Sequence, residues 1–209
     1  IGYQGSNLGN HVFFGINPTN NQPFETPFYQ ATSEEVNLAL ELAQMAFEKY
    51  RLISLKKRVL FLQAIAQKVR ANKDELIHWF CAESGLPKNR AETELERSCF
   101  QFEYYAKAVE SGYALEIKED SADPERKPNP KPSLLKMNVP VGPVVVFGAS
   151  NFPFAYSTLG GDVASALAAG CSVIVKGHAM HPHTSSISAQ FIIDVAKEYE
   201  MTEGVFSHL

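Results

Sequence analysis

The sequence predicts an α/β fold in which an N-terminal helical segment precedes a Rossmann-like parallel βαβ unit. Apolar residues recur at helical spacing in four successive stretches between residues 32 and 112. From residue 140 onward, short runs of β-branched residues alternate with helix-like segments, which is the order of a βαβ unit. Charge divides the chain in the same way, with 34 charged residues among the first 133 and 8 among the last 76. The low charge of the last third predicts a parallel sheet buried on both faces.

The composition of the 209 residues is that of a globular protein, with 45% hydrophobic and 20% charged residues. A net charge of -4 provides no basic surface for a phosphate backbone, so we expect no nucleic-acid partner. Residues 137–175 have Asp162 as their only charged residue, but three prolines and five glycines interrupt them too often for a membrane-spanning helix. The three cysteines form no CxxC motif and the N-terminus has no signal-peptide pattern, which favours a reducing, cytoplasmic location.

The first part of the chain changes from irregular to helical near residue 32. Residues 1–30 are dense in Gly, Asn and Pro, which predicts a wrapping segment with a short strand at Phe13–Phe14 and a turn at residues 16–18. Thr32 and Glu35 then form a capping box, because each side chain can satisfy the other residue's free backbone amide. The first helix is therefore predicted to begin here.

Three further helices follow. The second is predicted from about Ser54, and the third from Asn72, whose side chain would form a second capping box with Glu75. Gly85 stands ahead of a proline, an order typical of a helix end. The fourth helix is predicted to end near Gly112.

A charged and proline-rich segment separates the helices from the last third. Residues 116–132 contain too much proline for a helix and predict an exposed loop. Because Tyr113–Ile117 and Leu134–Val139 flank it, the loop could be the tip of a two-stranded arm over residues 113–139. Such an arm would serve contacts between subunits in a homodimer or homotetramer, and a plain surface loop is an equal alternative.

The last third alternates between strand-like and helix-like segments. These are Val144–Phe147, Tyr156–Ala169, Ser172–Val175 and His183–Tyr199. The order predicts a right-handed βαβ unit with parallel strands, and in open α/β sheets ligands bind beyond the carboxyl ends of the strands. The segments 148–154 and 176–182 follow the two strands and are therefore the predicted site.

Two residues in these segments carry suitable chemistry. There is no GxGxxG motif, so the usual dinucleotide-binding turn is not predicted. The Asn151 amide has two N–H donors that could stabilise negative charge on a carbonyl oxygen, although asparagine also commonly holds turns. The Lys176 ammonium could hold a ribose or phosphate oxygen, or could simply be a solvated strand end.

The segments Val139–Pro153 and Gly160–Lys176 resemble the coenzyme-binding region of the aldehyde dehydrogenase superfamily. The matching features are the Pro-Val-Gly sequence before the strand, the Asn-Phe-Pro turn, the Ala-Leu-Ala-Ala-Gly helix end and the strand that closes on lysine. The helices and the arm match that family's N-terminal region, so the resemblance covers nearly the whole chain and less than half of a complete member. It implies an incomplete aldehyde dehydrogenase-like fold. The implied parts are a helical part of the coenzyme domain (1–112), an oligomerisation arm (113–139) and a truncated βαβ part (140–209), without the catalytic domain.

The resemblance also implies roles for individual residues. In that family a cysteine attacks the aldehyde, an asparagine amide and a backbone N–H hold the oxyanion, hydride passes to NAD(P)+, and a glutamate activates water. Asn151 is similar to the oxyanion asparagine, and Lys176 is similar to the lysine that holds the adenosine ribose. The other residues implied to contact the cofactor are Phe147, Gly148, Ala149, Ser150, Gly177, His178 and Ala179.

The family's nucleophilic cysteine, general-base glutamate and pyrophosphate glycines have no counterpart in this sequence. Cys81, Cys99 and Cys171 have no cationic neighbour in sequence that would lower a thiol pKa, so none is predicted to be the nucleophile. The chain lacks an initiator methionine and stops in the apolar run 204–209, which looks like the opening of a strand. We therefore expect an N-terminal fragment that does not oxidise aldehydes by itself.

The cofactor and substrate predictions depend on few residues. Where NAD-preferring relatives often have a glutamate, this chain has Ala179, which removes repulsion toward a 2'-phosphate and predicts NADP, with NAD as the alternative. His178 would add a donor. The three nearby histidines have no acidic or thiol companion, so no metal site is predicted.

The motifs are closest to those of 2,5-dioxovalerate (2-oxoglutarate semialdehyde) and NADP-dependent fatty aldehyde dehydrogenases. The former predicts an anionic oxo-aldehyde as the small-molecule substrate. Two alternatives remain open: a non-catalytic module for cofactor binding or oligomer interaction, and a CoA-acylating aldehyde dehydrogenase.

Overall fold

The computed structural model describes residues 1–209, and its chain begins with an antiparallel hairpin. Strands β1 (Val12–Asn17) and β2 (Gln22–Tyr29) pair with Phe13 opposite Phe28. The predicted short strand at Phe13–Phe14 is confirmed within β1, whereas the irregular course predicted for the rest of these residues, with a turn at 16–18, was wrong. β2 contains two prolines, which an edge strand tolerates where its N–H groups are not needed for pairing. The hairpin's aromatic side chains pack on the helical part, since Phe24 lies 5.3 Å from the ring of Trp79.

Four helices follow the hairpin, as the periodicity predicts. They are α1 (Ser33–Tyr50), α2 (Leu55–Ala71), α3 (Lys73–Ser84) and α4 (Lys88–Glu110). The predicted capping box of α1 is confirmed: Glu35 N donates to Thr32 Oγ1 at 3.1 Å, and Thr32 N donates to the Glu35 carboxylate at 2.7 Å. At the end of α3, Gly85 adopts a φ of +68°, a left-handed conformation that glycine tolerates best.

The second predicted capping box, between Asn72 and Glu75, is wrong. Asn72 is the single residue between α2 and α3, and its Nδ2 donates to the Lys68 carbonyl at 2.8 Å. The side chain thus helps to end α2, and no side-chain hydrogen bond caps α3. A residue shared by two helices can serve only one of them with its single side chain.

The arm over residues 113–139 contains the predicted hairpin. Strands β3 (Lys118–Asp120) and β4 (Leu134–Lys136) pair antiparallel, and an isolated bridge joins Asp123 to Lys131 farther out. Residues Tyr113–Leu115 form a 3-10 helix rather than extending the strand as predicted. The paired part of the arm is therefore shorter than the sequence pattern indicates.

A three-stranded parallel sheet forms the last third, in the order β5 (Val144–Phe147), β6 (Val173–Lys176) and β7 (Phe206–His208). The predicted βαβ unit is confirmed, with α5 (Gly161–Ala169) after β5 and α6 (Pro182–Glu198) after β6. The prediction that the first of these helices begins at Tyr156 was wrong, because residues 151–160 form turns before α5 begins. The apolar end of the chain forms β7, as its composition suggests.

The sheet is buried on both faces at its central strand β6. Val173 and Val175 belong to a cluster of 37 buried residues that joins the sheet to helices α2–α6. Ile174 points the other way and packs on Ala39 and Ala43 of α1. None of the six helices combines the length and hydropathy needed to cross a membrane.

Candidate active site at the carboxyl ends of β5 and β6

The two predicted site segments lie side by side at one edge of the sheet. Phe147 ends β5 and is the register partner of Lys176, which ends β6. The Gly148 amide continues the pairing by donating to the Lys176 carbonyl at 3.0 Å. Both side chains at the strand ends are exposed, with 73% of Phe147 accessible to solvent. The parallel strands thus bring together two residues, Phe147 and Lys176, that are 29 positions apart in sequence.

The loop at residues 148–160, here called the site loop, is closed by its own backbone. The Ala149 amide donates to the Tyr156 carbonyl at 2.9 Å, and the Tyr156 amide donates to the Phe152 carbonyl at 3.3 Å. Asn151 lies within this closed loop, and its exposed side-chain amide has no hydrogen-bond partner in the chain. Its role at a carbonyl oxygen, and the alternative that it holds a turn, both stay predictions.

A buried glutamate on α4 holds the site loop from below. Glu94 is only 3% exposed. Oε1 of its carboxylate accepts hydrogen bonds from Phe154 N at 2.9 Å and from Ala155 N at 3.1 Å. Sequence reasoning missed this residue. The available signal was an acidic residue within the buried stripe of α4, beside Ala91 and Leu95.

Gly148 allows the site loop to pass very close to a buried serine. A Cβ at Gly148 would lie only 2.6 Å from Ser157 Oγ. That hydroxyl oxygen is buried and has no partner within the chain. The start of the loop therefore requires a residue without a side chain.

The segment at residues 176–182, here called the lysine segment, carries positive charge without an acidic neighbour. Lys176 and Ala179 are exposed. The pKa of His178 is lowered from its ordinary value, chiefly by burial and then by repulsion from His181 and Lys176. The Nδ1 of His178 accepts from the Met180 amide at 3.2 Å, so the proton of the neutral ring is on Nε2, which can donate outward.

His181 connects the two segments. Its ring is buried, and its Nε2 lies 2.9 Å from the Ala149 carbonyl oxygen in the site loop. Gly177 is held on the other side of the segment, where its amide donates to the Leu209 carbonyl at 2.7 Å. No group of three or more His, Cys, Asp or Glu side chains is arranged to hold a metal ion.

A chain of polar side chains runs beneath both segments. The Ser185 hydroxyl lies 2.7 Å from the Thr158 hydroxyl and 2.8 Å from His208 Nε2. Burial is the largest cause that lowers the pKa of His208, to about 4, so its ring is neutral at pH 7. This network joins the site loop, α6 and β7, and the sequence carried no pattern that indicated it.

The start of α6 is capped by a glutamate from another helix. The buried Glu83 carboxylate of α3 accepts from the amides of His183 and Thr184, both at 2.8 Å, and from the Thr184 hydroxyl at 2.7 Å. A negative charge at a helix N-terminus is favourable because it meets the free N–H groups and the positive end of the helix dipole. The ring of Trp79 stacks on His183 at 3.9 Å and closes the cap.

None of the three cysteines lies in an environment that activates a thiol. Burial raises the pKa of Cys99 to about 12, and burial also raises the pKa of the partly exposed Cys81. Cys171 is buried in the main hydrophobic core. The nucleophilic form is the thiolate, so none of these residues has the properties of a catalytic nucleophile.

Comparison with known proteins identifies the family. The model of the aldehyde dehydrogenase family matches residues 6–209. The chain belongs to the aldehyde dehydrogenase family. It is 44% identical over 195 residues to alpha-ketoglutaric semialdehyde dehydrogenase 2 of Azospirillum brasilense. It is 40% identical over 192 residues to alpha-ketoglutaric semialdehyde dehydrogenase of Acinetobacter baylyi.

The fold of this aldehyde dehydrogenase family chain matches that of solved members. The crystal structure of aldehyde dehydrogenase 21 from Physcomitrella patens, in complex with the reaction product succinate, superposes with a TM-score of 0.85 at 21% identity. That match covers 100% of this chain and 41% of the solved one. The two alpha-ketoglutaric semialdehyde dehydrogenases align over 93% and 92% of this chain, which spans only 37% and 36% of their own lengths.

Proposed function

We propose that these residues are the coenzyme-binding part of an NAD(P)-dependent enzyme that oxidises an aldehyde to a carboxylic acid. The observation that carries the proposal is the free Asn151 amide, which lies in a closed, anchored loop beside the exposed strand ends at Phe147 and Lys176. The chain belongs to the aldehyde dehydrogenase family, and its resemblance to that family implies the oxyanion role for Asn151.

Asn151 would act on the substrate oxygen. When a nucleophile attacks an aldehyde, the carbonyl oxygen becomes negatively charged, and preorganised N–H donors stabilise that charge. The Asn151 amide is suited to this role because no group within the chain uses its donors. The Glu94 contacts fix the loop backbone at Phe154 and Ala155, three and four residues after Asn151, which would limit how far the loop moves during reaction.

The residues at the strand ends fit a dinucleotide. The exposed face of Phe147 and the unpaired ammonium of Lys176 provide an apolar surface and a donor for a ribose or phosphate oxygen. Gly148, between these two strand ends, must lack a side chain because a Cβ there would lie 2.6 Å from Ser157 Oγ. NAD(P)+ supplies the hydride acceptor when it is bound.

We propose NADP as the preferred form. Ala179 adds no carboxylate that would repel a 2'-phosphate, while Lys176 adds a positive charge and His178 Nε2 a donor. The lowered pKa of His178 means that the ring is neutral at pH 7 in the free protein. Its contribution would therefore be a hydrogen bond, and Lys176 would supply the charge.

The nucleophile and the general base would come from a longer chain that contains these 209 residues. Two observations support this view: the chain spans little more than a third of its relatives, at 37% and 36%, and its cysteines lack an activating environment. The similarity to two alpha-ketoglutaric semialdehyde dehydrogenases makes 2-oxoglutarate semialdehyde the proposed substrate.

The arm over residues 113–139 is proposed to contact other subunits. Several large apolar side chains on it are exposed, including 79% of Tyr113 and 67% of Leu135. Such exposure is typical of surfaces that bind another chain. Sedimentation of the intact protein and of a variant without residues 118–136 would test this, and an unchanged oligomer would contradict it.

The experiment for the proposed reaction uses the intact protein with 2-oxoglutarate semialdehyde and either NADP+ or NAD+. We expect reduced cofactor and 2-oxoglutarate to form together without added CoA, and faster with NADP+. Asn151→Ala should lower kcat by about 100- to 1,000-fold, the range for losing one oxyanion donor. Asn151→Ala should leave the calorimetric Kd for NADP+ within about twofold. Normal turnover by Asn151→Ala, or strict CoA dependence, would contradict the proposal.

A further inference from the structure

Two arginines from one face of α4 lie over the site loop. Arg90 Cζ is 4.5 Å from the ring centroid of Phe152, and Arg97 Cζ is 5.3 Å from that of Tyr156. Residues seven apart in a helix lie on the same face, two turns from each other. The two aromatic rings also contact each other edge to face at 5.0 Å. Cationic groups are thus attached to the loop immediately after Asn151.

The two arginines differ in whether a carboxylate neutralises their positive charge. Arg90 Nε is 3.2 Å from the carboxylate of Glu94, which is buried and already fixed by the loop backbone. Arg97 forms no ion pair, and its hydrogen bond goes to the neutral Tyr156 hydroxyl at 2.8 Å. The acidic neighbour of Arg97 on α4, Glu96, is paired instead with Arg70 at 3.1 Å. Arg97 therefore carries an unneutralised positive charge.

Arg97 is also held in a defined position. Stacking on Tyr156 and the hydrogen bond to its hydroxyl fix the plane of the guanidinium, and four of its five N–H donors remain free. The backbone of Tyr156 closes the site loop through the Ala149 amide. The position of the cation is consequently coupled to the loop that carries Asn151.

A planar guanidinium with free paired donors matches a carboxylate, which it can bind through two parallel hydrogen bonds. The adjoining surface is apolar, because Phe100 and Tyr104 continue the same face of α4 and are both more than half exposed. An aldehyde with a carboxylate at its far end would meet Asn151 at one end and a cation at the other.

We propose that Arg97 is a specificity-determining residue that binds the distal carboxylate of the aldehyde substrate. This inference rests on the proposed function, because it places the reacting carbonyl at Asn151. Arg90, neutralised by Glu94, positions Phe152 and contributes no net charge to the site.

The test compares charged and uncharged aldehydes of the same carbon length in the intact protein. For Arg97→Gln we expect kcat/KM with 2-oxoglutarate semialdehyde to fall by about 10- to 100-fold, the cost of one charge-assisted contact. The value for pentanal should change by less than about threefold. Arg97→Lys, which keeps the charge but not the paired donors, should lie between wild type and Arg97→Gln.

Arg51→Gln is the matched control. Arg51 is also a partly exposed arginine over an aromatic ring, 5.7 Å from Phe47, but it directly follows α1 and is paired with Glu48. This variant should leave both substrates unaffected. A thermal melt of each variant will show whether it is folded.

Glutarate binding gives a readout that does not require turnover. Its calorimetric Kd should rise by about 10-fold or more in Arg97→Gln and remain unchanged in Arg51→Gln. Equal losses for pentanal and the anionic aldehyde, or an unchanged glutarate Kd, would overturn the role of Arg97. Wild-type protein that oxidises neither aldehyde would instead overturn the proposed function, whatever the glutarate result.

Discussion

Replacing Glu94 by alanine is expected to release the site loop from α4. The carboxylate accepts two backbone hydrogen bonds, from Phe154 and Ala155, in a buried position. A hydrogen bond to a charged group contributes about 1.5 to 3 kcal/mol, so the loss of both corresponds to about 3 to 6 kcal/mol of unfolding free energy. That is a large part of the stability of a typical domain.

Glu94→Gln separates the charge from the hydrogen bonds. Its side-chain oxygen can still accept from the loop backbone, so we expect a smaller loss of about 1 to 2 kcal/mol. In the intact enzyme, both variants should lower kcat/KM for the aldehyde by a larger factor than they raise KM for NADP+. The reason is that a loop displaced by about 1 Å misplaces the Asn151 amide.

The assay is urea unfolding of residues 1–209, followed by circular dichroism, with kinetics on the intact protein. Glu92→Ala is the control, since Glu92 lies on the same helix but is exposed and only 3.8 Å from Lys88 in a surface pair. Surface pairs of this kind contribute about 1 kcal/mol or less. A loss of unfolding free energy in Glu94→Ala no larger than that in Glu92→Ala would contradict this role of Glu94.

Three further predictions follow from buried contacts. Gly148→Ala should lower the unfolding free energy in urea by about 1 to 3 kcal/mol, because the new Cβ would lie 2.6 Å from Ser157 Oγ. Adding Ser157→Ala should restore part of the loss. Equal stabilities for the single and double variants would contradict this. His208 has a pKa of about 4 in the folded protein, below the ordinary value of 6.5, because burial disfavours the charged ring. Its contribution to the unfolding free energy is therefore complete above pH 6.5 and is lost as the pH falls toward 4. The loss should reach about 3 kcal/mol, and His208→Gln should flatten the unfolding free energy over that pH window relative to wild type. Glu83→Gln should cost about 1 to 3 kcal/mol in thermal or urea unfolding because it removes the charge that caps α6, and a loss no larger than that of Glu92→Gln would count against the cap.

Local signals in the sequence were sufficient for several elements. The Thr32–Glu35 capping box, the end of α3 at Gly85 and the bounds of β5 were predicted because each depends on residues close together in the chain. The βαβ order likewise predicted which two segments meet, since right-handed parallel connections leave few arrangements. Asn151 and Lys176 followed from the motifs that flank them.

Other features depend on contacts between distant residues. The β1–β2 hairpin forms despite its prolines because its aromatic side chains pack on Trp79 and His183. Helix α5 begins after the predicted residue because Glu94 hydrogen-bonds to the turns that precede it. Asn72 caps α2 and not α3, a choice that spacing alone does not make.

The sequence by itself determined the order of the elements, the family and the two segments that form the site. Only the tertiary structure decided which buried carboxylates anchor those segments and which of the two arginines is paired with a carboxylate. The physical reason is that periodicity and capping are set by neighbours within a few residues. The hydrogen bonds of Glu83, Glu94 and Arg97 are made with partners that only folding brings near.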